Sequence, residues 1–160
     1  MKRVAAILVG GAGTRLWPLS TALRPKPFVP LGPLGTLYAG ALARAKALGC
    51  EAVASVGAPH FLPWCTTGGG ATFLAEPVAR NTGPAAALAG AWARREGGEE
   101  ACLWVLPSDH LIEEVEAFRA TALELEKACI SQACLGVLGI VPAGPEIGYG
   151  YLVRGEAASG

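Results

Sequence analysis

The chain has 160 residues, of which 52% are hydrophobic, and its 13 basic and 13 acidic side chains balance to a net charge of zero. That length supports one domain with a proper core and is too short for two. A neutral chain offers no global field for a nucleic acid, and no apolar run approaches transmembrane length. Nucleic-acid and membrane partners are therefore excluded as expectations, and any phosphate binding has to be local.

Val4–Val9 reads as a buried strand, short and apolar on both faces. Lys2-Arg3 before it imitates the start of a signal peptide. The apolar run is shorter than such a segment needs, however, and it leads directly into a glycine loop. That loop, Gly10-Gly11-Ala12-Gly13-Thr14-Arg15-Leu16-Trp17-Pro18-Leu19-Ser20, can turn sharply and present bare N–H groups to an anion. Arg15 adds a fixed cationic fork suited to phosphate oxygens. No lysine follows Gly13, which excludes the kinase-like P-loop. Leu16 stands where a dinucleotide fingerprint needs its third glycine, and Pro18 follows closely, so a dehydrogenase reading is weak. A plain glycine-rich turn is the simpler alternative.

In Arg24-Pro25-Lys26-Pro27-Phe28 the flanking prolines are expected to hold Lys26 in extended backbone. A pinned lysine beside a phosphate loop suits charge neutralisation in phosphoryl transfer, while a solvated loop lysine reads the same locally. Leu37–Leu48 is predicted helical, with Thr36 as N-cap and Gly49 as stop. Ala52–Val56 is predicted as a second strand and Thr72–Ala75 as a third; between them Pro59–Gly70 has no clear pattern, its three glycines suggesting a mobile loop where a helix could have stood.

Glu76-Pro77-Val78-Ala79-Arg80-Asn81-Thr82-Gly83 then leads into a predicted helix Pro84–Arg95, capped by Thr82 or Asn81 and stopped by Gly97-Gly98. Its start offers N–H groups to an anion or a hydroxyl, although Arg80 and Asn81 could equally just stabilise the loop. Cys102–Leu106 is predicted as a strand ending in Pro107-Ser108-Asp109-His110. A carboxylate there is a natural Mg²⁺ ligand, or a cap for the next segment. His110 has only His60 for company in the chain, poor evidence for zinc. Val115–Cys129 is predicted as an amphipathic helix and Cys134–Val141 as a further strand. Gly148-Tyr149-Gly150-Tyr151 permits close backbone approach to a ligand, and a glycine-rich hairpin would look identical.

The alternation implies an α/β fold, a doubly wound and mainly parallel sheet, in which the glycine loop, Glu76 and Asp109 all fall at strand ends and should converge on one cleft. Five cysteines with no C-x-x-C pair fit a reduced, cytoplasmic protein.

In this order and spacing the glycine loop, Arg24–Leu31, Glu76–Ala85, Leu106–His110, Gly139-Ile140-Val141-Pro142 and Pro145–Tyr151 resemble the mannose-1-phosphate guanylyltransferases, within the sugar-nucleotide pyrophosphorylases. The resemblance implies a single nucleotidyltransferase domain over 1–160, with the Rossmann-like nucleotide-diphospho-sugar transferase fold. It implies that GTP and mannose 1-phosphate give GDP-mannose and diphosphate with Mg²⁺, by direct attack of the sugar phosphate on the α-phosphorus. Gly10, Gly11, Ala12, Gly13, Thr14 and Arg15 would then hold the triphosphate, with Asn81 and Thr82 also on the nucleotide. Lys26 would stabilise charge at the α-phosphate, Asp109 would bind the metal, and Gly148 and Tyr149 would face the sugar. Glu76 is the candidate base reader, since a carboxylate accepts both donors of the guanine edge.

The sequence departs from the family pattern at Val9, Ala12, Pro27 and Ile147, and the Pro59–Gly70 region is shorter. Family domains continue past the Gly-Tyr-Gly-Tyr motif with a Glu-Lys-Pro segment and a second metal-binding aspartate, so the chain is expected to be C-terminally incomplete. Such a fragment exposes a sheet edge or face, a cause of homo-oligomerisation. Two other readings stay open: a non-catalytic, nucleotide-sugar-binding regulator, and a pyrophosphorylase for another sugar or base.

Overall fold

A computed structural model of the protein describes residues 1–11, 13, 16–21, 23–66, 72–78 and 80–156. The chain forms two compact units, Met1–Arg119 and Ala120–Gly160. The first unit is built on a four-stranded parallel sheet. Its strands are β1 (Arg3–Val9), β2 (Ala52–Gly57), β3 (Thr72–Ala75) and β4 (Cys102–Pro107), in the order β3-β2-β1-β4.

The apolar run of β1 explains its place in the middle of the sheet. Ala5, Ile7 and Val9 enter one core cluster with Phe28, Tyr38 and Ala41. Ala6 enters a second with Val56, Ala85 and Ala89, and Leu8 packs against it. A strand buried on both faces reads as continuously hydrophobic, as this one does. Helix α1 (Leu37–Ala47) serves the first cluster and α3 (Thr82–Gly97) the second. The connection through α1 places β2 on one side of β1, and the connection through α3 carries the chain to β4 on the other. That reversal creates a topological switch point at the carboxyl ends of β1 and β4, where sheets of this kind bind ligands.

Thr36 caps α1 as expected, its Oγ1 accepting the Ala39 N–H at 3.1 Å. Three local expectations need correction. Pro59–Gly70 is not merely a loop: a 3₁₀ turn at Pro59–Phe61 leads into a short helix α2 (Leu62–Thr66), pinned by the buried Phe61 and Cys65. Its three glycines lie outside the described residues. Lys26 is not extended either; Lys26–Phe28 forms a 3₁₀ turn, with Pro25 extended before it. Pro27 suits the first turn of a helical segment, and the burial of Phe28 beneath α1 favours the compact form. Finally, α3 starts at Thr82 without a side-chain cap, because Asn81 has φ 61° and ψ −168°, outside ordinary cap geometry.

Helix α4 (Val115–Gln132) runs longer than predicted. The expected strand Cys134–Val141 does not form in the second unit. Strand backbone needs a neighbour to complete its hydrogen bonds, and apolar β-branched composition does not supply one. Around Glu146 the second unit ties itself together locally: its backbone N–H bonds the Tyr151 hydroxyl at 2.6 Å, and that hydroxyl reaches the Glu146 carbonyl at 3.0 Å. None of the five cysteines is joined in a disulfide. Among the described residues no helix is long and apolar enough to cross a membrane.

Candidate functional site

The parallel register aligns the carboxyl ends of the strands along one edge of the sheet. Val9 stands opposite Gly57, Gly57 opposite Ala75, and Leu8 opposite Pro107. Gly10, Glu76 and Ser108 therefore leave the sheet along the same edge. With strands about 4.8 Å apart, Glu76 beyond β3 and Asp109 beyond β4 are separated by roughly 14 Å along it. Glu76 is tied in by its backbone, its N–H donating to the Gly57 carbonyl at 2.9 Å.

Gly57 is where this edge is tightest. A Cβ there would overlap the carbonyl oxygen of Val9 and stand 3.2 Å from its carbonyl carbon. Only a glycine lets β2 pass the last residue of β1 this closely. The glycine loop begins at the next residue.

Gly11 and Gly13 both take positive φ, at 92° and 62°. A Cβ on Gly13 would meet the Lys26 Cβ at 3.0 Å and the Ser20 Oγ at 3.3 Å. The loop thus closes against the segment carrying Lys26. Buried Ser20 fastens it, the hydroxyl donating to the Gly13 carbonyl. The Lys26 side chain then reaches Asp109, 83 residues later in the sequence, and Nζ donates to Oδ2 at 2.9 Å. Both side chains are partly exposed, at 28% and 39%, so the pair is accessible to a ligand. His110 Nε2 stands 4.0 Å from the other Asp109 oxygen.

Each partner is held from below. Phe28, two residues after Lys26, packs its ring 5.0 Å from Tyr38 and 5.5 Å from Trp64. The Tyr38 hydroxyl shares a 2.7 Å hydrogen bond with the buried Ser55. Burial pushes the Tyr38 hydroxyl up to about 12, the Ser55 hydrogen bond opposing it in part. On the other side, the Ser108 N–H donates to the Leu8 carbonyl at 3.2 Å, which stitches the Asp109 turn to β1. The buried Arg44 guanidinium donates to the His110 carbonyl at 3.1 Å and the Pro107 carbonyl at 3.3 Å.

The structure brings Gly13, Lys26 and Asp109 together and sets Glu76 on the same edge. Ala12, Thr14 and Arg15 lie outside the described residues. Asn81 and Thr82 are exposed at the start of α3. Gly148 and Tyr149 belong to the second unit, where Glu146 Oε1 accepts the Gly148 N–H at 3.0 Å and the Glu146 carbonyl accepts the Tyr149 N–H at 3.2 Å. Arg44 escaped the sequence reading. Its position does carry a signal: it lies seven residues after Leu37 and three after Ala41, on the apolar stripe of α1.

Residues 4–159 match the nucleotidyl transferase family. The chain belongs to that family. Among its curated relatives, the xanthan biosynthesis protein XanB of Xanthomonas campestris pv. campestris (strain B100) is 40% identical over 156 residues, covering 93% of this chain and 33% of that protein. The mannose-1-phosphate guanylyltransferase of Escherichia coli (strain K12) is 36% identical over 170 residues, covering 99% and 34%. The chain thus spans about a third of the length of these relatives. The crystal structure of the mannose-1-phosphate geranyltransferase of Thermus thermophilus superposes with a TM-score of 0.71 at 36% identity, over 81% of this chain and 38% of that one. The parallel sheet and these relatives together put the chain in the nucleotidyltransferase fold.

Proposed function

We propose that this nucleotidyl transferase family member forms the nucleotide site of a mannose-1-phosphate guanylyltransferase, which converts GTP and mannose 1-phosphate to GDP-mannose and diphosphate. The observation that carries the reading is the Lys26–Asp109 pair at 2.9 Å, closed against Gly13 beside the switch point of the sheet. A cation and a carboxylate that neutralise each other here can part to meet a polyphosphate and a divalent ion. The names of the relatives supply the sugar and the base.

A sugar-phosphate oxygen attacks the α-phosphorus, the bond to the bridging oxygen breaks, and diphosphate leaves with the electron pair. No protein nucleophile is required, so the side chains contribute position and charge. The glycine backbone and Arg15 hold the triphosphate. Lys26 turns from Asp109 to the α-phosphate, where its ammonium neutralises charge at the reacting phosphorus. Asn81 and Thr82 flank the nucleotide, and Gly148 and Tyr149 serve the sugar.

The fit to Mg²⁺ rests on Asp109. Among the described residues no cluster of three or more His, Cys, Asp or Glu side chains could cage a metal. Magnesium in phosphate sites needs no such cage, taking one or two carboxylates plus substrate oxygens and water. Asp109 Oδ1, which Lys26 leaves free, suits that role. When bound, the ion neutralises the triphosphate and orients it for displacement.

The test is diphosphate release by the purified chain with GTP, mannose 1-phosphate and Mg²⁺, each omitted in turn. Binding of GTP with no release overturns the catalytic reading. Base selection is tested separately with Glu76→Gln, which should narrow the GTP-over-ATP binding preference by tenfold or more, as expected for loss of a paired polar contact. An unchanged preference removes Glu76 from the base site.

A further inference from the structure

Asp109 sits in a partly exposed turn, yet a metal-binding carboxylate has to be held in one orientation. The turn follows the last residue of an edge strand and is stitched to β1 by one backbone hydrogen bond, from Ser108 to Leu8. That bond fixes only the beginning of the turn. Arg44 fixes both ends. Its Nη2 reaches the carbonyl of Pro107 and its Nη1 the carbonyl of His110, so one planar group spans the backbone on either side of Asp109.

Placing this side chain in the core is costly, since Arg44 is only 3% exposed and burial lowers the affinity of its guanidinium for the proton. A hydrophobic residue would pack the same stripe of α1 more cheaply, but no hydrophobic residue donates to two carbonyls. A lysine could not replace it either, because a single ammonium lacks the two-pronged geometry. Helix α1 also carries Tyr38, whose ring packs against Phe28 beside Lys26. One rigid helix therefore underlies both partners of the Lys26–Asp109 pair.

We infer that Arg44 is a positioning residue for the metal-binding carboxylate, clamping the Pro107–His110 turn so that Asp109 presents Oδ1, the oxygen Lys26 does not hold, to the cation brought by the nucleotide. The inference rests on the assignment of Asp109 as the metal ligand. Partners of this kind, which orient a ligand without touching the metal, commonly change metal affinity by roughly 10–100-fold when altered.

Mn²⁺ binding to the GTP-loaded chain, followed by electron paramagnetic resonance, tests it without requiring turnover. Arg44→Lys and Arg44→Gln should each raise the Mn²⁺ concentration for half-saturation about tenfold, with GTP affinity in chelator unchanged. Tyr38→Phe is the control for general loosening of α1: it should lower thermal stability and leave Mn²⁺ half-saturation within about twofold of wild type. Wild-type Mn²⁺ binding in both Arg44 variants overturns the inference, as does an equal shift in Tyr38→Phe. Asp109→Asn separates the two levels. If it weakens Mn²⁺ binding while the Arg44 variants do not, only the clamp fails. If it leaves Mn²⁺ binding unchanged, or if the wild-type chain binds none with GTP, the assignment of Asp109 fails and the clamp with it.

Discussion

Gly13 illustrates how much a single missing atom can organise. Its φ of 62° lies where a side chain is strained, and a Cβ would press on the Lys26 Cβ at 3.0 Å. The neighbour is the root of a side chain and cannot swing away. Gly13→Ala should cost about 1–3 kcal/mol in denaturant unfolding and weaken GTP binding measured by calorimetry, through combined backbone strain and overpacking. Tyr38 is the complementary case, a polar atom sealed in the core. Its hydroxyl is raised from 10 to about 12, chiefly by burial. The folded chain keeps a proton that the unfolded chain releases above pH 10. This contribution to stability is complete below pH 10 and is lost as pH rises through about 12, by at most roughly 2–3 kcal/mol. Tyr38→Phe should flatten that alkaline fall in midpoint denaturant concentration, while losing about 1 kcal/mol at neutral pH with the Ser55 hydrogen bond.

Among the elements, β1 and β2 depend on each other at the edge that carries the chemistry. Gly57 permits β2 to pass the Val9 carbonyl, and Val9 is the last residue before the glycine loop. Gly57→Ala should destabilise the sheet by about 1–3 kcal/mol. It should also lower GTP affinity more than an equally destabilising substitution at the opposite end of β2, such as Val53→Ala. Equal affinity in the two variants would separate the crossing from the loop. Helix α1 behaves as expected from its sequence at both ends, with Thr36 as cap and Gly49 at φ 74° beyond the last turn. Its middle is less ordinary, since the buried stripe includes a guanidinium directed at backbone carbonyls of another segment.

For the molecule as a whole, a site assembled from segments distant in sequence couples ligand binding to folding. Lys26 and Asp109 are separated by 83 residues, and a ligand engaging both holds the turn after β4 against the Lys26–Phe28 turn. GTP with Mg²⁺ at about a hundred times its dissociation constant should stabilise the fold by roughly 2.7 kcal/mol, visible as a rise in Tm. ATP at equal concentration should raise Tm less. Asp109→Asn should remove the part of the rise that depends on Mg²⁺, and an unchanged rise in that variant would count against Asp109 as the metal ligand.

Much of this was legible in the linear chain. The apolar runs defined all four strands to within a residue at each end, most plainly β1, which is buried on both faces and so continuously hydrophobic. The glycine spacing, the proline-flanked lysine and the carboxylate after a strand marked the candidate site, because each is a local arrangement with local physics. What the sequence could not show depended on neighbours. Cys134–Val141 has the composition of a strand and forms none, since composition cannot supply the partner that strand hydrogen bonds require. Lys26 reads as extended from its prolines and is drawn into a 3₁₀ turn as Phe28 buries itself beneath α1. That Lys26 meets Asp109, and that Arg44 clamps the turn beneath it, was decided only when the switch in strand order brought β4 beside β1. Contacts between segments so far apart follow from the order and register of the strands, which no local stretch of sequence encodes.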